Sequence, residues 1–214
     1  MSELNKLALR YEIDKADRYV HGGHDYARRY EPLFQALKDS VEDRPVKVLE
    51  IGVGSGGCLR VWLDFFSTMQ HRADVYGVDN NPVAIVNIEK QKWDVKVSIG
   101  DATNVDFWVN FVAKSGSDFD LIIDDGSHYS EHIITTFGQV WPLVRSGGLY
   151  VCEDLHCSYQ SFPFNTGGPR SMDFFRSAVD VMNDQGADMN GSQTAGNQFD
   201  WIHFSKSFVV IKKR

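Results

Sequence analysis

The sequence predicts an α/β fold: a mostly parallel seven-stranded sheet with helices on both faces and an antiparallel hairpin at its C-terminal end. Three observations carry this expectation. From Val46 onward, short β-prone apolar runs alternate with segments whose apolar residues recur at three-to-four spacing. A glycine-rich turn leaves the first of these runs. Two further β-prone runs, separated by Ser205-Lys206, end the chain.

Taken in order, residues 1–45 read as a helical cap segment with a polar-aromatic cluster, Asp14-Lys15 through His21, His24, Tyr26, Arg29 and Tyr30. Residues 46–214 read as the core of a single domain. Val46–Val53, Asp74–Asp79, Val95–Ile99, Phe119–Asp124 and Leu149–Glu153 are the expected strands one to five. Cys58–Met69, Pro82–Lys92, Val105–Lys114 and Ser130–Val144 are the helices between them, with Pro82 at a first helical position, Ser130 as an N-cap and Gly147-Gly148 as the turn after a helix. His156–Arg170, rich in Gly, Pro, Ser and aromatics, reads as a long loop, followed by a helix over Ser171–Asn183. This loop and the polar stretch Gln185–Asn197 are expected to form a lid. Phe199–Phe204 and Ser207–Lys212 are the hairpin.

Composition narrows the function. With 214 residues and 43% hydrophobic content the chain can bury one good-sized core. A net charge of -7 excludes the basic face of a nucleic-acid binder and points to small-molecule partners. Cys58, Cys152 and Cys157 lack paired spacing, so they read as reduced thiols. Neither a leader pattern nor a membrane-length apolar run is present, and the expected location is the cytoplasm.

Glu50-Ile51-Gly52-Val53-Gly54-Ser55-Gly56-Gly57 joins the first strand to a helix, a turn in which glycines let a ligand approach the backbone. Gly52, Gly54 and Gly57 satisfy the GxGxxG of NAD-binding folds. Glu50, Gly52, Gly54 and Gly56 also spell E-x-G-x-G-x-G, which resembles the form typical of class I methyltransferases, as does the terminal hairpin, and that resemblance implies S-adenosylmethionine. Asp79, ending strand two, is placed to accept from both ribose hydroxyls, and Asp101, after strand three, from an adenine amino group. Any one of these acids alone would be an ordinary turn residue. Their joint occurrence at one sheet edge favours a cofactor site.

Asp124-Asp125-Gly126-Ser127-His128 follows strand four, and Glu153-Asp154 follows strand five. Four carboxylates gathered at neighbouring strand ends repel unless a cation offsets them or some of them are neutral, and oxygen donors suit magnesium, manganese or calcium. A hydroxyl holds its proton too tightly for a neutral imidazole acting alone. A divalent metal corrects that mismatch, and His128 then removes the proton. Successive strand residues face opposite ways, so Asp125 is the expected ligand, while Asp124 sits on the cofactor side or supports Asp125 through hydrogen bonds.

With these residues in place, the chain resembles the class I methyltransferases that are metal-dependent sugar O-methyltransferases of antibiotic biosynthesis, of the macrolide deoxysugar type. The resemblance implies a Rossmann-like fold, with Asp125, Glu153 and Asp154 holding the metal and His128 acting as base. It also implies that the segment from Asp14-Lys15 through Tyr30 packs over the cofactor. Catechol O-methyltransferases are similar in layout, with a lysine where His128 stands. The expected acceptor is a hydroxyl of a sugar or glycosylated small molecule, and Tyr159, Phe162 and Phe164 either stack on that sugar or pack locally. Association with further copies of the chain is left open. The competing readings are an NAD-dependent oxidoreductase or cephalosporin-hydroxylase-like enzyme sharing the glycine loop, and a non-catalytic cofactor-binding scaffold.

Overall fold

In the computed structural model, residues 1–18, 22–183 and 198–214 are described. His21 and the stretch Gln185–Asn197 lie outside the described residues. The chain divides into two compact units, residues 1–99 and 100–214. Its seven strands make one mixed sheet.

The first unit contains α1 (Glu3–Arg10), α2 (Tyr26–Asp39), β1 (Lys47–Ile51), α3 (Gly57–Phe66), β2 (Asp74–Asp79), α4 (Pro82–Lys90) and β3 (Val95–Ile99). Its strands run β3-β2-β1, all parallel, with Glu50 opposite Gly77 and Asp79 opposite Ile99. Helices α1 and α4 start where side chains satisfy backbone N–H groups that have no carbonyl partner in the first turn. Ser2 Oγ accepts from Asn5 N at 3.3 Å, and Asn81 Oδ1 accepts from Val83 N at 3.0 Å ahead of Pro82. Along α2, Tyr26, Tyr30 and Phe34 recur every four residues and stack on one buried stripe, with Phe34 edge-on to Trp62 of α3 at 5.7 Å.

The second unit contains α5 (Val105–Ser115), β4 (Phe119–Asp124), α6 (Ser130–Val140), the 3-10 turn η1 (Trp141–Leu143) and β5 (Val144–Cys152). The 3-10 turn η2 (Leu155–Tyr159), α7 (Ser171–Asn183), β6 (Phe199–Ser205) and β7 (Phe208–Lys213) follow. Here β4 is parallel to β5, β5 is antiparallel to β7, and β7 to β6, so the terminal hairpin inserts β7 beside β5 and leaves β6 outermost. Every residue of β4 is buried, as in a strand covered on both faces. Phe137, Tyr150 and Phe175 close the core between α6, α7 and the sheet.

Several boundaries differ from expectation. The helix expected to run to Val144 stops at Val140, because Pro142 has no N–H to donate and the chain tightens into η1. Strand five therefore begins at Val144, not Leu149, and ends at Cys152, leaving Glu153 just past it. Its pairing jumps from Phe119↔Val144 to Leu121↔Leu149, so Arg145–Gly148 bulge from the ladder. The helix expected to reach Met69 ends at Phe66, where Ser67 Oγ turns back to donate to Leu63 O at 2.6 Å. Among the described residues, no helix is long and apolar enough to cross a membrane.

Candidate active site

The glycine turn follows β1 in the first unit. Gly52, Gly54 and Gly56 have φ of 82°, 49° and 84°, the left-handed region that side-chain-bearing residues avoid. A Cβ on Gly54 would meet nothing within 4 Å, so the loop backbone faces open space, whereas one on Gly56 would lie 2.5 Å from Ile88 Cγ1. The first glycine keeps a ligand's approach clear and the second lets α3 start against α4.

Asp79 closes the turn from β2. Its Oδ2 accepts from Val53 N at 3.0 Å and Gly54 N at 3.1 Å, while Oδ1 accepts from Asn81 N at 2.8 Å. The carboxylate thus braces the loop at the strand ends. Glu50 lies deeper, fully buried, with Oε2 accepting from Trp62 Nε1 at 3.0 Å and Oε1 at 3.8 Å from Lys15 Nζ. Lys15 is itself 1% exposed, so the N-terminal segment is joined to β1 by an internal ion pair. A glycine turn open to ligand and supported from behind by an acid fits a nucleoside-type cofactor.

The remaining residues belong to the second unit. Asp101 accepts from both Thr103 N and Thr103 Oγ1 at 2.8 Å, and these bonds hold its carboxyl below the usual carboxylate range, aided by the nearby charge of His132. Asp124 is 4% exposed; its Oδ1 accepts from Gly126 N at 3.3 Å and its Oδ2 from the Tyr150 hydroxyl at 3.1 Å. Burial pushes this carboxyl up to about 7, against the Tyr150 and Gly126 hydrogen bonds, with the Asp125 charge adding to the rise. Tyr150 and Cys152 are raised well above their ordinary values, first by burial and then by the Asp124 charge.

Asp125, His128 and Asp154 each offer one ligand atom, and these atoms lie within 4.8 Å of one another on partly exposed side chains. His128 Nε2 is 4.0 Å from Asp125 Oδ1 and 3.6 Å from Asp154 Oδ2. His156 Nδ1 stands 3.9 Å from Asp154 Oδ1. Glu153 is not in this group; it is 1% exposed, and its N–H donates to Asp124 O at 2.9 Å. Two carboxylates and an imidazole so disposed fit a divalent cation, because oxygen and nitrogen donors suit it and its charge offsets their repulsion.

Local backbone brings the three together. His128 and Asp154 both have left-handed conformations, φ 61° and 52°. For side-chain-bearing residues this costs about 1 kcal/mol or more, and it persists where surrounding bonds over-determine it. Asp154 lies between two such bonds, Glu153 N to Asp124 O and Leu155 N to Ser207 O at 2.8 Å. His128 is followed by Ser130 N donating to Phe164 O at 3.0 Å, and Ser127 Oγ lies 2.9 Å from His132 Nδ1. Sequence patterning did not single out His132 or Tyr150. His132 falls one helical turn after His128, a spacing that could have drawn attention, whereas Tyr150 reads as ordinary strand core.

Residues 49–155, half of the chain, match the family described as a methyltransferase domain. Demethylmacrocin O-methyltransferase of Streptomyces fradiae is 35% identical over 73% of this chain and 37% of its own length. Mycinamicin VI 2''-O-methyltransferase of Micromonospora griseorubida is 31% identical over 86% of this chain and 45% of its own. The solved structure of MycE methyltransferase from the mycinamycin biosynthetic pathway, in complex with Mg and SAH, aligns at TM-score 0.79 and 29% identity, covering 99% of this chain and 54% of that one. The chain spans less than half the length of these curated relatives. By the match over half its length, with a mostly parallel seven-stranded sheet, a glycine turn after β1 and an antiparallel C-terminal hairpin, the chain belongs to the methyltransferase-domain family.

Proposed function

We propose that the chain is an S-adenosylmethionine- and magnesium-dependent O-methyltransferase acting on a hydroxyl of a sugar or glycosylated natural product. The observation that carries this reading is the meeting of Asp125, His128 and Asp154 within 4.8 Å. It is supported by relatives that include demethylmacrocin O-methyltransferase and a rhamnosyl tetracenomycin-C 2'-O-methyltransferase, and by the Mg and SAH in the MycE structure.

In this reading S-adenosylmethionine supplies an electrophilic methyl group, and the divalent cation, when bound, makes the acceptor hydroxyl more acidic. The rest is done by the chain's own residues. The open turn at Gly52, Gly54 and Gly56 admits the cofactor backbone-first, with Asp79 holding the turn and Asp101 at a strand end available to the nucleoside. Asp125 and Asp154 hold the cation, and buried Glu153, just past β5, is the third candidate ligand. Asp124, fixed by Tyr150 and Gly126, supports the turn that carries Asp125. His128 would accept the hydroxyl proton while the methyl group passes to the oxygen and its bond to sulfur breaks, the electron pair leaving on the thioether of S-adenosylhomocysteine.

Radiolabelled methyl transfer to purified glycosides tests this, with magnesium added or removed by EDTA. Transfer that needs magnesium supports the reading. Absence of transfer to any glycoside, or full transfer in metal-free protein, overturns it. Stabilisation by NAD and not by S-adenosylhomocysteine would instead favour the oxidoreductase reading.

A further inference from the structure

The second unit contains a cavity of about 520 Å³ walled by Tyr159, Gln160, Asn165, Gly167, Arg170 and Asp173. Its size falls in the range that holds small-molecule ligands, about 300–1,000 Å³. Nothing in the cofactor or metal assignments uses it. We propose that this cavity is the subsite for a sugar ring of the acceptor, with Tyr159 as its stacking platform; this rests on the methyltransferase reading above.

Position is the first argument. Two chain segments lead into the cavity wall from the metal-ligand cluster. From Asp154 the chain enters η2, which ends on Tyr159. From His128 it passes to Tyr129 and Ser130, which hold Phe164, the chain neighbour of the wall residue Asn165: Ser130 N donates to Phe164 O at 3.0 Å, and the Tyr129 ring meets Phe164 edge-on at 5.7 Å. Asn165, next to Phe164, is tied to η2 by its Nδ2 donating to Ser158 O. The cavity is thus coupled through short, bonded spans to the residues that hold the metal and take the proton.

Charge is the second argument. The two charged side chains in the wall are paired with each other, because Arg170 Nε and Nη2 donate to Asp173 Oδ2 and Oδ1 at 2.7 and 3.0 Å, and Arg176 Nη1 also stands 3.6 Å from Asp173 Oδ1. The guanidinium carbon also lies 5.2 Å from the Tyr159 ring centre. With Arg170 occupied by both carboxylate oxygens and by the ring, the wall offers amides, a hydroxyl and glycine backbone but no uncommitted charge. That suits a neutral polyhydroxylated ligand.

The aromatic face is the third argument. Tyr159 remains 61% exposed despite Arg170, whereas Trp108, Phe111, Phe137, Tyr150 and Phe175 of this unit are buried. A pyranose presents one apolar C–H face and a polar rim, and an exposed phenol ring beside amide side chains complements both.

The test uses methyl α-L-rhamnopyranoside as probe, observed by saturation-transfer NMR on protein loaded with S-adenosylhomocysteine and magnesium. Wild type and Tyr159→Phe should bind it comparably, and Tyr159→Ala about tenfold more weakly, with unchanged melting temperature and S-adenosylhomocysteine affinity. A nucleoside diphosphate sugar should compete no better than the methyl glycoside. Equal binding by Tyr159→Ala, no saturation transfer in wild type, or preference for the nucleotide sugar overturns the proposal. Methyl transfer to glycosides with a KM unmoved by Tyr159→Ala would sink this subsite while leaving the function intact. Probe binding lost in Tyr159→Ala, without any methyl transfer by wild type, would do the reverse.

Discussion

His128 and Asp154 approach to 3.6 Å between Nε2 and Oδ2, each on a left-handed backbone residue immediately beyond a strand or its following turn. The proposed proton acceptor and the proposed metal ligand are therefore positioned by the backbone as much as by their side-chain chemistry. The two roles should separate on mutation. Asp154→Ala or Asp125→Ala should abolish magnesium binding and methyl transfer while S-adenosylhomocysteine still raises the melting temperature. Calorimetry with each ligand checks this, and unimpaired magnesium binding in both variants would refute their assignment.

His128→Asn is the cleaner probe of the base, because asparagine tolerates the left-handed conformation that alanine would strain. We expect turnover to fall by about 10²- to 10⁴-fold, the usual worth of a positioned base, with melting temperature nearly unchanged. Retention of wild-type turnover would remove His128 from the chemistry.

Asp79 braces the glycine turn through Val53 N and Gly54 N, so its loss should be felt before any cofactor arrives. Asp79→Ala should destabilise the cofactor-free protein by about 1–3 kcal/mol, as expected for unsatisfied backbone donors, and also weaken S-adenosylhomocysteine binding. Urea unfolding with and without the ligand separates the two effects. A variant with normal stability and weakened binding would make Asp79 a ligand contact only.

The internal pair Lys15–Glu50 should show strong coupling. Lys15→Met alone leaves a buried carboxylate without its cation and should cost about 3–5 kcal/mol. Lys15→Met with Glu50→Gln should recover most of that loss. A double-mutant cycle with no coupling would show that the pair contributes nothing beyond its separate packing.

Asp124 supplies the pH dependence. Burial raises its carboxyl to about 7 from 3.8, so the folded protein keeps a proton that the unfolded chain gives up. Its contribution to stability is complete below the unfolded value and is lost as pH rises through about 7, at about 1.4 kcal/mol per pH unit between the two values. In EDTA, wild type should lose stability relative to Asp124→Asn between about pH 4 and pH 7. Parallel stability curves for the two proteins across that window would contradict a raised Asp124.

The sequence by itself determined the strand–helix alternation, the glycine turn and the terminal hairpin, because these rest on local periodicity and on turn chemistry that a single segment carries. It also put Asp125 and His128 three residues apart after one strand, and Asp154 just after the next parallel strand. Only the tertiary structure decided which neighbours share a cluster. His128 and Asp154 take left-handed backbone conformations set by hydrogen bonds to Phe164, Asp124 and Ser207, partners distant in sequence. Glu50, written into the same motif as the glycines, lies fully buried because Lys15 and Trp62, many residues away, meet it there. Such placements depend on which segments pack together. Local pattern does not encode that choice; the burial of apolar surface around these polar groups does.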